Sequence, residues 1–100
     1  MKAYEFLPEA RDDLQEIWTY IAADNPSAAD ELEADIYKAC ELLAENPRLG
    51  HKRTDLTEET VLFWPVRGQY LVIYQRDTKP LKIVRILHGA RDTSSELRAY

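Results

Sequence analysis

The hydrophobic period of this 100-residue chain changes once, and that change restricts the folds open to it. Before Asn46 the apolar residues recur three and four apart, the spacing of an amphipathic helix; after Thr60 they form short apolar runs, the mark of strands. Residues 2–7 are expected to form a short strand, and Pro8 then suits the first turn of a helix, where its missing N–H costs nothing. Ala10, Leu14, Ile17, Trp18 and Ile21 give that helix one apolar stripe, and Glu9, Asp12 and Asp13 are expected to load its first turn with charge that complements the dipole. Asn25-Pro26 stops it and caps the next helix, whose stripe is Leu32, Ile36, Ala39 and Leu43 and which ends before Asn46-Pro47. So short a connection makes the pair an antiparallel hairpin.

Strands are expected over residues 61–66, 70–75 and 81–88, joined by short turns that make neighbours antiparallel. Helices followed by strands define an α+β domain. The expected architecture is an N-terminal strand, an antiparallel helical hairpin and a three-stranded antiparallel meander, all within one domain spanning residues 1–100. These strands do not alternate cleanly. Strict alternation over residues 81–88 puts Leu81, Ile83, Arg85 and Leu87 on one face and Lys82, Val84, Ile86 and His88 on the other, while every position of residues 70–74 is apolar or aromatic. One helical hairpin covers one face, so the other is expected either to await a partner or to be closed by the tail, residues 93–100.

Charge is divided unevenly along the chain. Residues 1–46 hold three basic and twelve acidic side chains, a net of −9; residues 47–100 hold ten and six, a net of +4. Blocks of this kind are commonly solvated helix faces and strand-edge gatekeepers, but the second half is also suited to meet an anion. The single cysteine, Cys40, has no disulfide partner within the chain and is expected to fill core space in a reducing compartment. No apolar run is long enough to span a membrane, and the first residues lack the apolar centre of a signal peptide. The expected location is the cytoplasm.

The stretch Arg85-Ile86-Leu87-His88-Gly89-Ala90-Arg91-Asp92 is the strongest candidate for chemistry, because it puts two arginines and a histidine at the end of an apolar strand. Arginine offers a planar fork of donors, and histidine exchanges a proton near neutral pH. Arg85, His88, Arg91 and Arg53 are the expected target- or anion-binding residues, with no catalytic residue assigned. If the protein is a ribonuclease, Arg85 would hold the phosphate, His88 would move the proton and Lys52 would add charge, with His51 as a second proton carrier. The simpler alternatives are that His88 orders the turn at Gly89 and that the arginines pair with Asp92 or with the acidic helices. His51, His88 and one cysteine give no metal-ligand spacing, the three glycines form no phosphate loop, and no cofactor is implied.

Four segments together resemble the toxins of the ParE/RelE family of type II toxin-antitoxin systems, the ParE branch above all, sometimes called plasmid-stabilisation proteins. They are Phe6-Leu7-Pro8-Glu9-Ala10 with Asp13-Leu14 and Ile17; Asn25-Pro26 with Ala28-Ala29; Asn46-Pro47-Arg48-Leu49-Gly50; and the stretch from Arg85 to Asp92. Each is common alone, and their order and spacing are what is specific. The resemblance covers nearly the whole chain and implies a helical hairpin on a small antiparallel sheet, neutralised by a cognate antitoxin. It implies DNA gyrase as the target in the ParE branch and messenger RNA on the ribosome in the RelE branch. Direct nucleic-acid contact belongs only to the second. The acidic net charge of −5 lacks the basic footprint of a ribosome-bound nuclease, which favours the first.

Overall fold

The computed structural model describes residues 3–52 and 60–89. Strand β1 (Tyr4–Phe6) leads into helix α1 (Pro8–Ala22) and helix α2 (Pro26–Glu45), followed by β2 (Leu62–Val66), β3 (Tyr70–Gln75) and β4 (Leu81–His88). The expected α+β architecture is present. The sheet order is β1-β4-β3-β2, with β2, β3 and β4 antiparallel in sequence order and β1 parallel to β4. A parallel pair needs a long crossover, here everything between the two strands.

Local chemistry sets the helix ends. Pro8 occupies the first turn of α1 and Leu7, extended at the cap, accepts from the Arg11 N–H at 3.0 Å. Asn25 caps α2 through its side-chain oxygen, which accepts from the Ala28 N–H at 3.1 Å. Asn46 leaves helical geometry ahead of Pro47, as a residue before proline is pushed to do, and its side-chain amide donates back to the Leu42 carbonyl. Between the helices, Trp18 Nε1 donates to Asp30 at 2.9 Å. None of the described helices is long and apolar enough to cross a membrane.

The main core lies between the hairpin and one face of the sheet, where Leu14, Leu32, Ile36 and Leu43 meet Leu62, Val72, Ile83 and Ile86. Cys40 is wholly buried there, and burial pushes its thiol up to about 12. The other face carries a second cluster, Val61, Phe63, Ile73, Val84 and Leu87. This face is not the open apolar surface anticipated: Phe63 is 2% and Ile73 0% exposed. The tail, residues 93–100, the alternative to a partner as the cover of this face, lies outside the described residues.

A bulge explains why β4 has two apolar faces. Tyr74 pairs with Ile83 and Ile73 with Arg85, so Val84 is an extra residue on β4. Past it the side-chain parity inverts. Ile83 and Ile86 both join the helix-side core while Val84 and Leu87 join the second cluster, which corrects the strict alternation expected over residues 81–88.

Candidate functional site

Arg85 is engaged inside the fold. Its Nε and Nη2 donate to the two carboxylate oxygens of Asp13 at 2.6 and 2.9 Å, and the pair is only 15% and 12% exposed. The Ile86 N–H donates to the same carboxylate at 3.0 Å. The cause is topological: β1 flanks β4 only as far as the bond from the Leu7 N–H to the Ile83 carbonyl, after which the chain turns into α1. Asp13, one and a half turns into α1, supplies the acceptor that β1 no longer does. It therefore ties helix to strand and is not the first-turn charge expected; among Glu9, Asp12 and Asp13, only Glu9 lies in the first turn.

His88 ends β4 and is half-buried, its ring set edge-on to Tyr70 at 5.1 Å and 85°. Next to it the Gly89 N–H donates to the Gln69 carbonyl at 2.6 Å, a backbone approach that would bring any Cβ at Gly89 to 3.3 Å from that oxygen. Arg85 and His88 are an odd number of residues apart, beyond the bulge, and so leave opposite faces of the strand.

His51 lies beyond β2, at the edge of the sheet far from β1 and β4, with Lys52 next to it in the chain. His51 makes a two-bond antiparallel bridge to Phe63, each bond 2.8 Å, and its ring stacks on Trp64 at 6.3 Å and 12°. His51, Phe63, Ile73 and Arg85 form one cross-strand row, so the β4 and His51 backbones are three inter-strand spacings apart, about 15 Å. Arg85, largely buried against Asp13, and Lys52, exposed beyond β2, do not converge on one phosphate. Arg53 and Arg91, with Asp92, lie outside the described residues. Among the described residues no group of three His, Cys, Asp or Glu side chains is placed to hold a metal.

Two arrangements escaped the sequence reading. The Asp13 pairing had a visible cue, since Asp13 sits three residues from Ala10 and four from Ile17, on the buried stripe where a charge needs a partner. The second is Tyr74, wholly buried, whose hydroxyl donates to the Pro47 carbonyl at 2.7 Å and accepts from the Gly50 N–H at 2.8 Å. It staples the segment after α2 to β3. Gly50 is required by that contact, because a Cβ there would lie 2.5 Å from the hydroxyl. A tyrosine inside an otherwise apolar strand was the cue.

The sequence matches the family model described as the ParE toxin of type II toxin-antitoxin system, parDE, over residues 4–93. Among solved structures, a chain of a chromosomal ParDE TA system from P. aeruginosa superposes with a TM-score of 0.68 at 21% identity, covering 88% of this chain and 96% of that one. At that identity the likeness concerns the fold alone. Comparison with curated proteins finds no match.

Proposed function

The chain belongs to the ParE toxin family of type II toxin-antitoxin systems, and from that premise we propose that it works in the cytoplasm by binding and inhibiting DNA gyrase, and is held inactive by a cognate antitoxin. The observation that carries the reading is the bidentate pair of Arg85 with Asp13. A ribonuclease that cleaves at a 2'-hydroxyl needs several cations around one phosphate, together with a proton carrier. Here the best-placed arginine is neutralised by a carboxylate that a phosphate would have to displace. His88 packs on Tyr70, and Lys52 stands across the sheet. Binding to a protein target makes no such demand on these residues.

The test uses the purified chain in two assays. Gyrase supercoiling is expected to fall, with cleavage complexes accumulating, while mRNA in a translating extract stays intact. An unaffected gyrase together with cut mRNA would replace this reading with the RelE-type one. Neutralisation is checked by co-expressing the product of an adjacent small reading frame, which should co-purify and restore growth.

A further inference from the structure

At the pole where α2 ends and the β3–β4 turn begins, two recesses of about 740 and 540 Å³ share Pro47, Arg76 and Asp77 as walls. Arg48, Arg76 and Lys79 line them, against Asp77 as the one acidic lining residue. That local excess of positive charge stands out in a chain of net −5. Two arginines elsewhere are tied down, Arg67 by Asp35 and Arg85 by Asp13, each at 2.6 Å. Arg48 and Lys79 make no ion pair with the described residues, and Arg76 has only a 3.6 Å contact to Asp77, whose side chain is 90% exposed.

The walls are fixed and partly apolar. Tyr74 pins Pro47 and Gly50, and Thr78 Oγ1 pins the turn by accepting from the Lys82 N–H at 3.0 Å and donating to the Gln75 carbonyl at 3.3 Å. Pro47, Leu49 and Pro80 give the floor apolar area, and Leu49 is 40% exposed. A compact phosphate would use only the cations and would meet the carbonyl end of α2, which disfavours concentrated negative charge. A peptide that spreads its charge and also presents aliphatic side chains uses rim and floor together.

From this we infer that the pole is a docking site for an acidic peptide segment of a partner protein, one that alternates carboxylate and aliphatic side chains. The arginine forks take the carboxylates and the floor takes the aliphatic groups. The site lies at the start of β4, about 23 Å along the strand from His88. It does not depend on the gyrase reading, since peptide binding is measured on the isolated chain.

The experiment is fluorescence anisotropy with a labelled synthetic peptide of alternating Glu and Leu. The Gln-for-Glu peptide should bind roughly tenfold more weakly or worse, and Arg48→Glu with Arg76→Glu should lower affinity by a similar factor. Leu49→Ser should lower it several-fold, whereas Lys38→Glu, a charge reversal on an exposed part of α2 outside both recesses, should leave it unaltered. Circular dichroism checks folding, and Arg48→Gln with Arg76→Gln replaces the reversal if that variant is unfolded. Equal binding of both peptides, an equal loss in Lys38→Glu, displacement of the peptide by millimolar inorganic phosphate, or light scattering that shows a second copy in the recess would each overturn the inference.

Discussion

Removing the Asp13 carboxylate is the most informative perturbation, because three donors lose their acceptor at once. In Asp13→Ala the Ile86 N–H is left without its partner at about 1–3 kcal/mol. Arg85, 15% exposed, recovers part of its solvation from water and keeps a penalty of about 1–2 kcal/mol. The expected loss is about 3 kcal/mol, or roughly 15 °C in Tm for a domain of this size. Arg85→Ala is expected to lose about 2 kcal/mol, since Asp13 keeps the Ile86 N–H. The double variant should be less destabilised than the two losses added, with a coupling of about 1–2 kcal/mol in urea unfolding. Additivity within about 0.5 kcal/mol would refute the claim that the pair is a structural tie. So would an Arg85→Ala variant of unchanged stability that has lost toxicity, since Arg85 would then be acting on the target directly.

Tyr74→Phe leaves the Pro47 carbonyl and Gly50 N–H without the hydroxyl and should destabilise by about 2 kcal/mol in urea, while Gly50→Ala should cost at least as much through the 2.5 Å approach. Asn25→Ala removes the α2 cap and should lower stability by about 1 kcal/mol, read by thermal unfolding. Cys40, buried and raised to about 12 from an ordinary value of 9.0, favours the folded state while the unfolded thiol would stay protonated. That contribution is complete below pH 9 and is lost as pH rises toward about 12, so Cys40→Ala should flatten the alkaline fall in stability. Thiol reagents at pH 8 should modify Cys40 only in denaturant; rapid labelling of the native chain would contradict its burial.

Much of the fold was legible because its signals are local. Asn25-Pro26 and Asn46-Pro47 mark α2 through caps and proline sterics that act over a few residues, and the apolar runs give β3 and β4 their observed limits, Tyr70–Gln75 and Leu81–His88. The candidate site was legible only as residue types. Arg85 and His88 were found, but their roles depended on Asp13, 72 positions from Arg85, and on Tyr70 across the strand pair.

The sequence by itself determined which segments become helix and strand and placed the chain in its family, because hydrophobic period, capping and motif order are written along the chain. Tertiary structure alone decided that β1 pairs with β4, that Val84 inverts the strand's faces and that Arg85 faces a carboxylate. The physical reason is that charges and open strand edges are satisfied through space, by whichever groups the packed layers bring within reach.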